Sequence, residues 1–315
     1  MSKSKVTVLG GTGFVGTQLV YRLAQRFDKV VLLSRHNQRS RTLRILPNVF
    51  VEKADVHDPK QLESAFNGTD VVVNLIGILN QGGKKAGNSF VGAHATLTEN
   101  VIKACEQQGV AHYLHMSSLN ADAKKGSSEY LRSKGMAEDA VQASTALAWT
   151  IFQPSVIFGE KDSFFNRFNA LLNAIPIFPL ACPDAKMAPV YVGDVVDCMM
   201  NALDNSDAVG SRIQLCGPAD YTLQELVEFT ANTSRLKRKI VRLPDGLARL
   251  QARVMEWVPG KPFSRDNYLS LQTDSICTGG CERQPTSIQA VVPGYLGRST
   301  GLSGRHQSRR ELARR

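Results

Sequence analysis

The chain has 315 residues, of which 43% are hydrophobic, and it carries a formal net charge of +10 at pH 7. This composition favours a folded globular protein over a disordered one, and no apolar stretch reaches the roughly 18–20 residues that span a bilayer. The first residues lack the apolar segment of a secretory signal, so the sequence predicts a cytoplasmic protein, at most peripheral on the inner face of a membrane.

Short β-branched segments alternate with segments of helical period through the first half of the chain. Strands are predicted at residues 6–9, 29–33, 49–52, 70–76, 111–116 and 148–152. Helices are predicted at residues 16–26, 61–66, 94–108 and 130–143. Apolar strands separated by helices indicate a parallel sheet covered on both faces, and right-handed crossovers then give a doubly wound α/β Rossmann fold.

This alternation stops after Gly159. The pattern predicts a helix over residues 164–174, a loop over 175–179, a strand at 190–192 that returns to the main sheet, and a helix from Leu223. We therefore expect a Rossmann core of residues 1–160, joined by 188–216. Residues 161–187 and 217–297 would form a smaller C-terminal substrate lobe.

One amphipathic segment of that lobe places Leu247, Leu250, Val254 and Trp257 on a single helical face. Their spacing of three, four and three residues fits the period of an α-helix. We expect this stripe to pack against the lobe rather than to insert into a membrane.

Residues 298–315 form a basic tail, with six arginines against the single acid Glu311. Such a tail binds anionic lipid or an acidic protein partner, or is simply solvated. It is the segment through which contact with a membrane surface or a protein partner is expected. No nucleic-acid partner is expected, because the rest of the chain has no nucleic-acid-binding motif.

Among the six cysteines, only Cys277 and Cys281 lie close together in sequence. No histidine or second cysteine pair stands nearby to complete a zinc site, so no metal is expected. The prediction is that the thiols are reduced and mostly buried.

A glycine-rich turn follows the first strand and opens the first helix. A dinucleotide pyrophosphate needs bare backbone N–H groups at a helix N-terminus, and the glycines allow both the sharp turn and the close approach of helix and strand. The cofactor-binding residues of this turn are expected to be Gly10, Gly11, Thr12, Gly13, Phe14, Val15 and Gly16.

The end of the second strand favours NADP over NAD. NAD enzymes usually place an acid there for the ribose hydroxyl, whereas this chain has Ser34 and Arg35, followed by His36 and Arg39. The planar guanidinium of Arg35 suits a 2′-phosphate, and the alternative is that Arg35 is solvated and NAD binds.

Beyond the third strand, Asp55 and Val56 are placed to lie near the adenine. Asp55 has a second interpretation, as a helix cap.

Tyr130 and Lys134 stand four residues apart on one face of a predicted helix. A neighbouring lysine ammonium favours the phenolate and makes a tyrosine an effective acid–base group. Ser117 or Ser118, at the end of the fifth strand, is placed to hydrogen-bond a substrate carbonyl. The alternative is a surface Tyr–Lys pair without chemistry.

Together these motifs resemble the short-chain dehydrogenase/reductase superfamily in its extended or atypical branch. The resemblance rests on the glycine turn, Asp55, residues 74–77, the two serines, the Tyr–Lys pair and residues 153–156. It implies further cofactor contacts at Leu75, Ile76, Gly77, Met116, Lys134, Pro154, Ser155 and Val156. Residues 74–77 depart from the superfamily's usual Asn-Asn-Ala-Gly, as they do in atypical members.

More narrowly, residues 115–121, 128–134, 154–159 and 189–194 resemble the NDUFA9-like group, the relatives of the 39-kDa accessory subunit of respiratory complex I. This resemblance implies tightly held NADPH and a link to quinone metabolism or complex I. The chain beyond Cys281 does not match the group's patterns.

Two functions follow as expectations. The first is an NADPH-dependent oxidoreductase or epimerase-like protein acting on a lipophilic, quinone-like keto or hydroxy substrate. In it Tyr130 is the acid–base group, Lys134 lowers its pKa, and Ser118 or Ser117 holds the carbonyl. The second is an accessory or assembly protein of complex I in which NADPH is structural. A third alternative is an NADP(H)-sensing regulator. The Tyr–Lys pair argues against it, because such a sensor does not need this pair.

Overall fold

The computed structural model describes residues 4–35, 42–82, 89–258, 261–279 and 281–296. The strands are β1 (Lys5–Leu9), β2 (Lys29–Ser34), β3 (Val49–Lys53), β4 (Val71–Asn74), β5 (His112–Met116), β6 (Ala148–Pro154), β7 (Ile157–Phe158), β8 (Ile177–Leu180), β9 (Lys186–Met187), β10 (Val190–Tyr191), β11 (Ser211–Leu215), β12 (Tyr221–Thr222) and β13 (Lys239–Arg242). The helices are α1 (Phe14–Arg26), α2 (Pro59–Phe66), α3 (Leu97–Gln108), α4 (Glu129–Ala143), α5 (Phe165–Ala174), α6 (Val192–Ala202), α7 (Leu223–Thr233), α8 (Asp245–Met255), α9 (Arg265–Ser270) and α10 (Ile288–Leu296).

Seven strands form one sheet in the order β11-β6-β5-β4-β1-β2-β3. Every neighbouring pair is parallel; for example, Val6 of β1 pairs with Val30 on one side and Val71 on the other. The order reverses beside β1, as in doubly wound sheets. The predicted Rossmann α/β fold is confirmed.

The sheet is buried because its strands are rich in β-branched and aliphatic residues along their whole length. In β4, for example, all four residues are buried. Helices α2, α3 and α4 pack side by side, and α1 packs with α6. A cluster of buried side chains between α2, α3 and the strands includes Leu62, Phe66, Val101 and Tyr113.

By its contacts the chain divides into two compact units. The first unit comprises Met1–Pro154, Val192–Leu215 and Cys277–Glu282, and the second comprises Ser155–Tyr191, Cys216–Ile276 and Arg283–Arg315. The seven-stranded sheet belongs to the first unit. The second unit has its own apolar cluster, in which Phe158, Phe165 and Leu226 are fully buried.

Two predictions about the later chain are wrong. Residues 177–180 form β8 rather than a loop, and they pair in parallel with β13, with Phe178 opposite Ile240. Val190 and Tyr191 form β10, which pairs with β7 and not with the main sheet. The strand that returns to that sheet is β11, beside β6.

The prediction that the apolar stripe of α8 is packed is also wrong. Its inward positions are Ala248 and Ala252, which are buried, whereas the large side chains of the stripe are exposed. Among the described residues, no helix combines the length and the apolar character needed to cross a bilayer.

The prediction of reduced thiols is wrong for Cys277 and Cys281, which form a disulfide within the first unit. Their Cα atoms are 6.0 Å apart, inside the range that a disulfide requires. Cys105 and Cys216 are buried, and Cys182 and Cys198 are half-buried; within the described part of the chain, none of these four forms a disulfide. The basic tail, residues 298–315, lies outside the described residues.

Candidate nucleotide-binding and catalytic site

The glycine turn between β1 and α1 is closed by a hydrogen bond from the Gly13 N–H to the Gly10 carbonyl oxygen, at 3.0 Å. Gly10 has φ +79°, a backbone conformation that favours glycine. A Cβ atom on Gly16 would lie 2.4 Å from the Gly10 oxygen, and one on Gly11 would lie 2.8 Å from the Leu32 side chain. At Gly16 the clash is with backbone and requires glycine, whereas at Gly11 it is with the end of a leucine side chain, which would have to shift.

Helix α1 begins at Phe14 directly after this turn. Its N-cap is Gly13, which supplies no side-chain hydrogen bond, and its first turn carries no acidic residue. Neither the N-cap nor the first turn of the helix thus supplies a side chain that competes for the first backbone N–H groups or neutralises the positive end of the helix dipole. Thr12 and Val15 are half-buried beside them. This arrangement fits the diphosphate of a dinucleotide.

The segment after β4 approaches the same turn. The Leu75 N–H donates to the Leu9 carbonyl at 3.0 Å, and a Cβ atom on Gly10 would lie 3.1 Å from the Leu75 carbonyl carbon. The Asn74 side chain accepts from the Ile76 N–H at 3.1 Å, which holds the bend after the strand. Asn74, Leu75 and Ile76 therefore lie against the glycine turn.

At the other edge, the candidate adenosine residues follow β2 and β3. Ser34 is the last residue of β2, and Arg35 after it is exposed. Asp55 is exposed and accepts from the His57 N–H at 3.0 Å, while Val56 is buried. His36 and Arg39 lie outside the described residues.

Asp55 does not cap a helix, so that alternative interpretation is wrong. Helix α2 begins at Pro59, and its N-cap is Asp58, whose carboxylate accepts from the Lys60 N–H at 3.0 Å. Proline at the first helical position and an aspartate before it are the residues favoured there.

Lys134 lies on α4 and is almost fully buried. Its Nζ donates to the Met116 carbonyl at 2.9 Å, and a Cβ atom on Gly77 would lie 3.4 Å from it. Burial lowers the pKa of the Lys134 ammonium to about 8, against an upward effect of the Glu138 charge. The folded protein therefore binds fewer protons than the unfolded chain between about pH 8 and 10.5, and this group makes folding more favourable as pH rises through that window.

Tyr130 lies one helical turn before Lys134, in the first turn of α4. Its ring meets those of His94 and Phe90 edge-to-face, with centroid distances of 5.5 and 5.9 Å. The start of the helix is fixed by Ser128, whose hydroxyl accepts from the Leu131 N–H at 3.1 Å. Tyr130 and Lys134 thus share one helix face.

The two candidate serines differ in their hydrogen bonds. The Ser117 hydroxyl donates to the buried carboxylate of Glu138. The Ser118 Oγ atom is shielded from solvent and has no hydrogen-bond partner among the described residues. Burying a hydroxyl group without a hydrogen-bond partner costs free energy. A ligand oxygen that accepts a hydrogen bond from Ser118 would remove this cost.

Two residues of this region were missed by the sequence analysis. Glu138 accepts from Ser117 and from the Gln153 amide, which lies 2.9 Å from both carboxylate oxygens, and it lies 3.7 Å from Arg212. Burial raises the pKa of Glu138, although these partners act in the opposite direction. A single glutamate in a helix has no spacing signature that would have revealed this.

The other missed residue is His94, which lies in a π-helical turn, Gly92–Thr96, just before α3. Its Nδ1 lies 2.8 Å from the Ser133 hydroxyl, and its Nε2 accepts from the Ile78 N–H at 3.1 Å. Burial and the Lys134 charge lower the pKa of His94 to about 2, so the ring is neutral. It ties the chain after Gly77 to the helix that carries Tyr130.

Three consecutive residues predicted to contact the cofactor, Pro154, Ser155 and Val156, are divided between the units. Pro154 ends β6 in the first unit, where its carbonyl accepts from the Leu119 N–H at 3.0 Å. Ser155 and Val156 begin the second unit. There the Ser155 hydroxyl donates to the Ser275 carbonyl at 2.7 Å, and the Val156 carbonyl accepts from the Val190 N–H at 2.9 Å.

Residues 10–167 match the model of a family described as NAD(P)H-binding. A mouse (Mus musculus) protein named NADH dehydrogenase [ubiquinone] 1 alpha subcomplex subunit 9, mitochondrial, is 32% identical over 71% of this chain. The chain spans only 59% of that relative's length. The Arabidopsis thaliana protein of the same name is 30% identical over 86% of this chain and 70% of its own length.

A Caulobacter vibrioides protein named ceramide reductase is 26% identical over 81% of this chain and 79% of its own length. Among solved structures, UDP-glucuronic acid 4-epimerase from Bacillus cereus superposes with a TM-score of 0.69. It is 16% identical and covers 93% of this chain and 99% of its own, a likeness that shows the fold. The chain therefore belongs to the NAD(P)H-binding atypical short-chain dehydrogenases/reductases, in the group of the 39-kDa subunit of respiratory complex I.

Proposed function

We propose that the protein is an NADPH-dependent oxidoreductase that interconverts a keto group and a hydroxyl group on a lipophilic substrate. The observation that carries this proposal is the solvent-shielded Ser118 hydroxyl, for which the described part of the chain offers no hydrogen-bond partner. It follows by two residues the Met116 carbonyl that Lys134 contacts, at the end of β5. A reacting carbonyl oxygen would supply the acceptor that this hydroxyl lacks.

The residues of α4 and of the end of β5 have separate roles in the reaction. When bound, NADPH supplies the hydride for the carbonyl carbon. Tyr130 donates the proton that the carbonyl oxygen needs, and Ser118 donates a hydrogen bond to the same oxygen. The Lys134 charge favours the phenolate that Tyr130 leaves behind, and solvent returns the proton.

The names of related proteins support the lipophilic substrate class. The Caulobacter vibrioides relative is named for the reduction of a ceramide, and it aligns over most of both chains. The names of the mouse and Arabidopsis relatives include ubiquinone. Both names point to large apolar molecules that carry a carbonyl or hydroxyl group.

The two serines are distinguished by their alanine variants. We expect Ser118→Ala to lower kcat/KM for a lipophilic ketone by about 10²-fold, the usual loss on removing a donor to the reacting oxygen. Ser117→Ala is the matched control, and we expect it to lower the melting temperature because Glu138 loses a buried donor. A larger kinetic loss in Ser117→Ala than in Ser118→Ala would refute the assignment.

NADPH rather than NADH is proposed as the cofactor because Arg35 follows β2 with no acid beside it. We expect Arg35→Ala to weaken NADPH binding by about tenfold to a hundredfold, the effect of losing charged hydrogen bonds to a phosphate, and to leave NADH binding unchanged. Calorimetric titration with both nucleotides measures this. Equal losses of affinity for NADPH and NADH would show that Arg35 does not contact the 2′-phosphate.

A second candidate function is that of an accessory or assembly protein of respiratory complex I that holds NADPH without turnover. It is favoured by the mouse and Arabidopsis relatives, whose names mark them as subunits of NADH dehydrogenase. Extraction of the nucleotide from purified protein, followed by assay against a panel of lipophilic ketones, separates the two. Bound NADPH that no ketone oxidises favours the accessory role.

A further inference from the structure

The outward face of α8 exposes large apolar side chains to solvent. Leu247, Leu250 and Val254 are 51%, 55% and 56% exposed, and Trp257, just beyond the helix, is 88% exposed. We call these four residues the α8 face. The spacing of Leu247, Leu250 and Val254 places them along one side of the helix. Trp257 lies in the turn that follows, where its backbone N–H donates to the Val254 carbonyl at 3.1 Å, so it continues this strip.

Helix α8 packs against the rest of the second unit through small residues instead. Ala248 and Ala252 are buried and belong to a cluster with Tyr268 and Ala181. An ordinary surface helix turns its large apolar side chains inward, and here the arrangement is reversed. Contiguous apolar surface of this kind marks an interaction site in a folded protein.

Cations surround the Trp257 end of the α8 face. A cleft of about 370 Å³ is lined by Trp257 with Arg253, Lys261, Arg265 and a single acid, Glu256. The Glu256 carboxylate is already occupied, since it accepts from the backbone N–H and the Nε of Arg265 at 3.0 and 2.9 Å. Among the described residues, no ion pair includes Arg253.

We propose that the α8 face binds the surface of a membrane that contains anionic lipids. Leu247, Leu250 and Val254 enter the apolar boundary, Trp257 lies at the level of the headgroups, and Arg253 contacts lipid phosphate. Interfacial helices combine such an apolar strip with cations at its edge, and tryptophan prefers this boundary. Each cation near an anionic leaflet adds to the binding.

Charge argues against two other occupants. Residues 298–315 of this chain contain six arginines against one acid and only two leucines, so they offer a basic rim little attraction and little apolar area. A second copy related by a twofold axis would bring the same cations together. An anionic lipid surface complements both the apolar strip and its charged edge.

The test uses the full chain and two kinds of vesicle, pure phosphatidylcholine and phosphatidylcholine with about 30% phosphatidylglycerol. We expect sedimentation with the anionic vesicles only. The double variant Leu250→Gln, Val254→Gln should weaken this binding about tenfold or more, because two apolar side chains lose their burial. Arg253→Gln should weaken it less, and added salt should reduce the effect of this variant.

Ile45→Gln is the matched control, because Ile45 is an exposed apolar residue of the other unit. It should bind vesicles as the unsubstituted chain does. The chain has two tryptophans, so Trp257 fluorescence should shift to the blue on binding, and Trp257→Phe should lose this shift while still sedimenting. Residues 298–315 are identical in all variants, so any difference between them reports on the α8 face.

Unchanged vesicle binding in the double variant, with far-UV circular dichroism as in the unsubstituted chain, would overturn the proposal. A mass that rises with protein concentration in light scattering, and falls to the monomer in the double variant, would also overturn it in favour of a second copy.

Discussion

Tyr130→Phe is expected to lower the rate of NADPH-dependent carbonyl reduction by about 10²–10⁴-fold, the range for loss of a general acid. The phenylalanine ring retains the edge-to-face contacts with His94 and Phe90, so the start of α4 should keep its place. The substitution removes the phenolic hydroxyl, which is the proposed proton donor. Nucleotide affinity should therefore change little.

The measurement is NADPH oxidation in the presence of a lipophilic ketone, together with the dissociation constant of NADPH for the same preparation. Tyr21→Phe is a suitable control, because Tyr21 lies on α1 in the same unit and makes no hydrogen bond found among the described residues. A Tyr130→Phe protein that turns over at the unsubstituted rate would remove Tyr130 from the chemistry. A collapse of NADPH binding would assign it to the cofactor instead.

The second large effect is expected from Gly16→Ala in the glycine turn. The added Cβ would lie 2.4 Å from the Gly10 oxygen and 2.6 Å from the Gly11 Cα, and both are backbone atoms that no rotamer change can move. Overpacking of this kind costs about 1–3 kcal/mol of the free energy of unfolding. It also opens the turn, so nucleotide affinity should fall about tenfold to a hundredfold.

Gly246→Ala is the matched control for that variant. Gly246 lies in α8, and a Cβ there meets no atom within 4 Å. In a helix this change should be neutral or stabilising by about 0.5–1 kcal/mol. Denaturant unfolding and nucleotide titration of the two variants measure the contrast, and equal behaviour would show that the turn is not sterically restricted.

The sequence predicted the nucleotide half of the fold well because its signals are local. A buried β-branched strand, a run of glycines and an amphipathic helix each leave a pattern within a few residues. The helix starts were less accurate. Helix α1 begins at Phe14 rather than Gly16, and α2 begins at Pro59 rather than Gln61. These differences reflect caps, at Gly13 and Asp58, that the hydrophobic period does not contain.

The second unit was predicted less well because its structure depends on distant pairing. Strand β8 contains Pro179 and follows Pro176, which read locally as a loop, and only its partner β13 makes it a strand. Periodicity likewise showed that α8 has an apolar stripe but not which way it faces. That direction is set by Ala248 and Ala252, whose small side chains allow close packing and add little to a hydrophobic pattern.

For the candidate site, spacing identified the pair on α4 but could not choose between Ser117 and Ser118. Adjacent residues at a strand end point in different directions, and the difference appears only when the Glu138 carboxylate is placed beside Ser117. His94 was missed for the same reason. Its role depends on Ser133 and the Ile78 N–H, which lie on two other segments of the chain.

The contacts of Glu138 restrict which substitutions this part of the first unit can accept. Its carboxylate contacts Ser117 after β5, Gln153 on β6 and Arg212 on β11, so one side chain joins α4 to three neighbouring strands of the sheet. The helix cannot slide along these strands without separating several hydrogen bonds at once. The effects of substitutions at these four positions on the free energy of unfolding should therefore be strongly non-additive. We expect the four residues to be replaced together or not at all.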